Sequence, residues 1–168
     1  MPFNFPSLPE LENEEELSRL YVSSTSNWVV PHVVMVGQSP ARAKSVTNRM
    51  EFLLVDKGVT TFVCLQSEVL PQTENGIDLG GIQDGNEADI LPSYADAACS
   101  VKGVSEVPKF VYFGIRDYDV AESLEGLDIL IDNLLKRIND GEVLYVHCKG
   151  GEIFLIILIS QGLLFLCC

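Results

Sequence analysis

Apolar residues follow two alternating patterns along the chain. Short runs rich in β-branched and aromatic residues alternate with longer stretches in which apolar residues recur every three or four positions. The runs predict strands over 29–36, 59–65, 110–115 and 143–146, and the stretches predict helices over 11–20, 43–54, 88–101 and 124–138. Strands that alternate with helices and are apolar on both sides predict an α/β fold, with a mostly parallel central sheet and helices on both faces.

The helix predicted over 124–138 has the most regular pattern. Asp119 and Glu122 resemble a capping box, which predicts that the helix starts there. The sequence Asn139-Asp140-Gly141 predicts its end, because glycine readily adopts the left-handed conformation that closes a helix.

The chain begins with an N-terminal arm that contains the short helix and extends over 1–26. Further along, 71–87 is rich in Gly, Asn, Asp and Glu and lacks the spacing of a calcium loop. This segment is therefore predicted to be a surface loop.

Composition narrows the function classes. The 168 residues are 47% hydrophobic, which suits one domain with a real core. A net charge of −13 disfavours a nucleic-acid or anionic-membrane partner. The five cysteines are an odd number without a C-x-x-C pair, so no disulfide framework or zinc site is predicted. With no secretory signal visible, we expect a cytoplasmic protein, with Cys64 and Cys99 in its core.

Candidate chemistry lies where the last predicted strand meets His147-Cys148-Lys149-Gly150-Gly151. A cysteine thiolate can attack phosphorus when backbone N–H groups or a cation lower its pKa. Glycines let the backbone fold tightly, so that successive N–H groups can point at one anion. The segment predicts an oxyanion cradle around Cys148.

Segment 143–151 resembles the strand and first half of the His-Cys-x5-Arg loop of cysteine-dependent dual-specificity and tyrosine protein phosphatases. Segments 27–31, 58–66 and 113–118 resemble other parts of this family in the same order. The resemblance extends over 27–151, which implies a phosphatase-like domain there and leaves 152–168 as a divergent apolar tail. The resemblance implies hydrolysis of phosphomonoesters through a phosphocysteine intermediate. It also implies phosphorylated protein substrates and no metal or other cofactor, while small phosphorylated molecules stay open as substrates.

The resemblance also implies roles for individual residues. Cys148 would be the nucleophile, Asp117 would protonate the leaving oxygen and then activate water, and His147 would help to set the thiol pKa. Lys149, Gly150 and Gly151 would bind the substrate. Asp119 is an alternative acid, but we favour Asp117 because Asp119 already has a structural role as the predicted helix cap.

The family pattern stops after Gly151. The family has an arginine six residues after the cysteine, where this chain has Phe154, and Glu152 adds a carboxylate inside the cradle. Loss of one such transition-state donor costs about 3–4 kcal/mol, so we expect little turnover. The tail is also too short for the C-terminal helices that the resemblance implies, so we expect a chain that is truncated within the signature loop.

Several interpretations of the tail and of the chain stay open. As a hypothesis, the tail is read-through of an unspliced intron, since Gly151-Glu152 can be encoded by GGTGAG. A membrane anchor is disfavoured, because Ser160 and Gln161 interrupt an already short apolar stretch. The alternatives to an impaired phosphatase are a non-catalytic module that binds a phosphorylated partner, or serves as a scaffold, and a truncated gene-model product.

Overall fold

The computed structural model of the chain describes residue 18 and residues 20–69, 75–83, 94–116, 119 and 121–150. Within these residues, seven strands form one sheet in the order β1-β2-β3-β7-β4-β6-β5. The strand bounds are Tyr21–Ser23, Ser26–Val30, Val34–Gln38, Thr61–Gln66, Gly76–Gly81, Lys109–Ile115 and Leu144–Cys148, numbered β1 to β7 in chain order. The strands β1, β2 and β3 pair antiparallel, and every other pairing is parallel. The predicted α/β class with a mostly parallel sheet is confirmed.

The helices lie between the strands, as the sequence predicts. A short 3-10 turn, Pro40–Arg42, precedes helix α1, Val46–Glu51, which continues as a π-helical turn, Phe52–Asp56. This segment ends before Gly58, whose φ of 70° suits glycine. Helix α2 is Ala95–Cys99 and helix α3 is Leu124–Asn139.

Buried apolar side chains form a cluster on each face of the sheet. On one face Leu127, Leu130, Leu134 and Ile138 of α3 pack with alternate strand residues, including Leu144 and Val146 of β7. On the other face Met50 of α1 and Ala98 of α2 pack with Tyr145 of β7 and with Trp28 and Phe62. Because successive strand residues point to opposite faces, β7 contributes to both clusters. The prediction of helices on both faces is confirmed.

The run 29–36, predicted as one strand, is instead a hairpin. Strands β2 and β3 pair antiparallel across the turn Pro31, His32 and Val33. Proline cannot donate to a strand ladder, and His32 has a φ of 59°, which strand backbone does not adopt. The β-branched residues on both sides of the turn concealed it in the sequence pattern.

The predicted surface loop 71–87 contains β5, which pairs parallel with β6 at the edge of the sheet. Its residues are exposed or partly exposed, so the strand lacks the apolar run that predicts a buried strand. Gly81 has a φ of 88°, and a Cβ on Gly81 would collide with the backbone of Gly114 on β6. Glycine therefore permits close approach of the two backbones here.

Helix α3 begins at Leu124, as predicted, but the predicted cap, Asp119, is wrong. Ser123 is the N-cap, and its hydroxyl accepts a hydrogen bond from the backbone N–H of Gly126 at 3.1 Å. Asp119 lies in the preceding turn, where its backbone N–H donates to the Arg116 carbonyl. The predicted end is confirmed, because α3 stops at Asn139 and Gly141 has a φ of 85°.

Three predictions concern residues outside the described part of the chain, wholly or largely. They are the helix over 11–20, the first half of the helix over 88–101, and the tail 152–168. From residue 94 onward the second of these predictions is met by α2. Among the described helices, none combines the length and the apolar character needed to cross a bilayer.

Candidate functional site

Cys148 is the last residue of β7, which lies between β3 and β4 in the parallel part of the sheet. The thiol residue is buried, with 2% of its surface exposed. Its backbone carbonyl accepts a hydrogen bond from the N–H of Ser39, the residue that follows β3. In sheets of this kind ligands bind beyond the carboxyl ends of the strands, and Cys148 lies at that edge.

His147 is fully buried and directly precedes Cys148 in β7. Its Nε2 and the Tyr94 hydroxyl are joined by a hydrogen bond of 2.5 Å, and its ring also lies near that of Tyr145. Burial lowers the His147 pKa to about 3, although the Cys148 backbone partly opposes the shift. At neutral pH the imidazole is therefore uncharged. Any influence of His147 on the thiol acts through its dipole and not through a positive charge.

Two further cysteines differ in their surroundings. Cys64 lies on β4 in register with His147, and burial raises the pKa of its thiol to about 12. Such a thiol is unreactive at neutral pH, which suits the predicted core position. Cys99, also predicted to lie in the core, is exposed at the end of α2.

The predicted substrate-binding residues begin with Lys149, which follows Cys148 directly. Its Nζ lies 3.3 Å from Oε1 of Glu68, just beyond the end of β4. The side chains of the two residues are 38% and 16% exposed, so this ion pair is only partly screened by water. Gly150 is exposed and has open space where a Cβ would be. Gly151, Glu152 and Phe154 lie outside the described residues.

The predicted acid, Asp117, also lies outside the described residues, whereas Arg116 before it and Asp119 after it are described. Arg116 follows β6 at the carboxyl edge of the sheet, and its Nη1 pairs with Glu122 at 3.0 Å. Asp119 is exposed in the same turn. Because Ser123 caps α3, the structural reason for setting Asp119 aside is removed. Both carboxylates follow the same strand end and stay candidates.

Buried polar atoms without a hydrogen-bond partner in the described part of the chain gather at this edge. They are the Ser39 hydroxyl, both amide atoms of Gln66, and Nδ1 of His147. Ser39 follows β3, Gln66 ends β4, and His147 is next to last in β7. Sequence reasoning missed Ser39 and Gln66. The available signal was a polar residue at the carboxyl end of a buried parallel strand.

The described residues offer no cluster of three or more His, Cys, Asp or Glu side chains that could hold a metal ion. The described polar groups around the end of β7 include the Ser39 hydroxyl, the Gln66 amide, the Cys148 thiol and the Lys149 ammonium group that pairs with Glu68. Hydroxyl, amide and ammonium donors suit an oxyanion better than a metal.

Comparison with known proteins gives few matches. No family model and no curated protein matches the chain. Two solved structures of PTPMT1 are similar to it, at 18% and 17% identity and TM-scores of 0.41 and 0.40. One of them is a complex with PI(5)P. Each similarity covers 71% of this chain but only 60% and 59% of the respective PTPMT1 chains.

Proposed function

We propose that the chain is a phosphatase-like domain that binds phosphomonoesters at the Cys148 loop, with tyrosine or dual specificity for phosphorylated proteins. In the reaction the Cys148 thiolate attacks phosphorus and the ester P–O bond breaks. The leaving oxygen takes a proton from Asp117 or Asp119. Water then attacks the phosphocysteine, the S–P bond breaks, and the same carboxylate takes the water proton as phosphate leaves.

The observation that carries this proposal is the place of Cys148. It ends the parallel strand β7, both neighbours of which are also parallel, and the next residues enter a glycine-containing loop. A nucleophile at this point faces the edge where α/β sheets bind ligands. The unpartnered Gln66 amide and the Lys149 ammonium group lie at the same edge and can donate to phosphate oxygens.

Several features argue that turnover is impaired. Phe154 stands at the position where the resembled family has its arginine, and Glu152 adds negative charge. His147 is uncharged at neutral pH and so offers no positive charge beside Cys148. We infer a slow first step, since stabilisation of the transition state is weakened.

A second candidate function is binding of a phosphorylated partner without hydrolysis. The ion pair between Lys149 and Glu68 favours it, because a cation already engaged by a carboxylate gives less stabilisation to a transition state. In this case the donors at the carboxyl edge still bind the phosphate group, but the ester P–O bond is not broken.

Hydrolysis of an aryl phosphate such as p-nitrophenyl phosphate tests these functions. The purified chain is compared with Cys148→Ser and with the double variant Phe154→Arg, Glu152→Ala. We expect turnover near that of Cys148→Ser for the natural chain and at least about a hundredfold more for the double variant. A double variant that stays inactive, although it folds and binds phosphate, would exclude the phosphatase and leave the binding module.

In the active double variant, the acid is identified by Asp117→Asn and Asp119→Asn. The substitution that removes the acid should lower kcat by about 10²- to 10⁴-fold and abolish the basic limb of the pH profile. The other substitution serves as its matched control. If neither changes the profile, the proton comes from a different group.

A further inference from the structure

The ends of three neighbouring strands bring Ser39, Gln66 and Lys149 to one edge of the sheet. Strand β7 lies between β3 and β4, and Ser39 follows β3, Gln66 ends β4 and Lys149 follows β7. The Ser39 N–H donates to the Cys148 carbonyl at 2.9 Å, which ties the end of β3 to the residue before Lys149. On the other side, the Lys149 Nζ lies 3.3 Å from Glu68, two residues beyond Gln66.

The Gln66 amide is an unusual group at this place. The residue is 3% exposed, and neither Nε2 nor Oε1 has a hydrogen-bond partner in the described part of the chain. Leaving a buried amide unsatisfied costs about 1–3 kcal/mol, which folding normally avoids. The Ser39 hydroxyl, 2% exposed, is in the same condition. Two such groups at the edge where Lys149 follows β7 indicate a site built for a bound polar molecule.

The donors and acceptors define its chemistry. Gln66 Nε2, Ser39 Oγ and Lys149 Nζ can donate to oxyanion oxygens. Gln66 Oε1 can only accept, so it requires an O–H group on the ligand. A phosphomonoester, whose second pKa is about 6, carries that proton as its monoanion, and inorganic phosphate carries a proton in both of the forms present near neutral pH. Hydrogen phosphate therefore fits the set better than sulfate, which has no proton to donate near neutral pH.

The Glu68 carboxylate competes with such a ligand for the Lys149 ammonium group. Its Oε1 lies 3.3 Å from Nζ of Lys149, and its side chain is only 16% exposed. A bound anion must share Lys149 with this carboxylate and is repelled by it at short range. The arrangement weakens anion binding as long as Glu68 is ionised.

We propose that Gln66, Ser39 and Lys149 form an oxyanion-binding set at the carboxyl edge, and that Glu68 is an internal competitor that limits affinity for phosphate. This inference rests on the proposed function, because it deepens the same site. It adds two binding residues and one inhibitory residue to those that the sequence predicts.

The test measures binding of inorganic phosphate by calorimetry in a full-length Cys148→Ser background, where no turnover occurs. Glu68→Gln should bind phosphate about two- to fivefold more tightly, the range expected for a partly exposed ion pair. The matched control is Asp140→Asn, which removes the same charge from the exposed ion pair between Lys136 and Asp140. It should change affinity by less than about twofold.

Gln66→Met supplies an independent variant of similar shape, and it should weaken phosphate binding by about fivefold or more. Equal affinities in Glu68→Gln and Asp140→Asn, no effect of Gln66→Met in a folded chain, or no phosphate binding at all would each overturn the proposal. The outcomes separate it from the proposed function. Binding that responds to Glu68 without turnover in any variant refutes the hydrolysis alone, whereas turnover with unresponsive binding refutes this inference alone.

Discussion

Buried polar groups make hydrogen bonds at one end of the parallel strands and lack them at the other. At the amino ends of the strands, Glu142 accepts hydrogen bonds from Thr61 at 2.5 Å, Lys109 at 2.7 Å and Arg137 at 2.9 Å. At the carboxyl ends, the side chains of Ser39 and Gln66 and one His147 nitrogen have no partner in the described residues. Satisfied polar groups stabilise a fold, and unsatisfied ones indicate where it can bind.

The pKa values of Glu142 and His147 show the same contrast between the two ends. Burial alone would raise the pKa of Glu142, but the bonds from Lys109, Thr61 and Arg137 outweigh it and lower the pKa below 4.5. Glu142 therefore stabilises the fold above about pH 4.5, and this contribution is lost as pH falls through the lowered value. At the other end, burial lowers the pKa of His147, and no compensating charge lies close to it in the described part.

The largest expected effect comes from removing the Glu142 carboxylate, which accepts three hydrogen bonds at the amino ends of the strands. Glu142→Ala should lower the free energy of unfolding by about 2–3 kcal/mol, because Arg137 and Lys109 lose a buried partner. Urea denaturation measures the change. Lys136→Ala, which removes an exposed ion pair, is the control and should cost less than about 1 kcal/mol. A cost for Glu142→Ala no larger than that of the control would remove the contrast between the two ends.

Next in size, when it is taken per pH unit, is the pH dependence that His147 produces. Its pKa is about 3 in the folded chain and 6.5 when free, so between these values the unfolded chain binds more protons. Stability should therefore fall as pH decreases from 6.5, by at most about 1.4 kcal/mol per pH unit. His147→Phe should flatten this slope. The control is His32→Asn, since His32 is exposed and asparagine tolerates its positive φ. Equal slopes in both variants would contradict the burial effect.

The smallest effect has the opposite sign from the first. Gln66→Met replaces an unpartnered buried amide by an apolar side chain of similar shape. Stability should stay unchanged or rise by up to about 1 kcal/mol, because no hydrogen bond is lost and a desolvated polar group is removed. Thermal unfolding measures it. A loss above 1 kcal/mol would show that the amide already has a stabilising partner, and the carboxyl end would then resemble the amino end.

Local sequence patterns predicted the parts of the fold that depend on local periodicity. The apolar spacing of α3 and the buried runs of β4, β6 and β7 identify those elements. The edge strand β5 could not be predicted in this way, because an exposed strand needs no apolar run and its pairing with β6 is decided by tertiary contact. The cap of α3 was misplaced because Asp119 offered a competing cap spacing.

In the candidate site, too, the local sequence predicted some residues and could not predict others. Motif and resemblance located Cys148 and its neighbours at a strand end, and the structure places them there. Tyr94, which bonds His147, is 53 residues away in sequence, and Glu68, which pairs with Lys149, is 81 residues away. Such partners leave no local signal, so only the folded arrangement reveals that His147 is neutral and that Lys149 is engaged.

The central place of β7 also governs how the sheet is assembled. Its two neighbours, β3 and β4, do not pair with each other, so β7 must insert between them to join the two halves. The strand comes from residues 144–148, whereas its partner β3 comes from 34–38. Pairings so distant in sequence close large loops and fold slowly. Until β7 docks, two apolar strand edges stay open, and folding is then most vulnerable to aggregation.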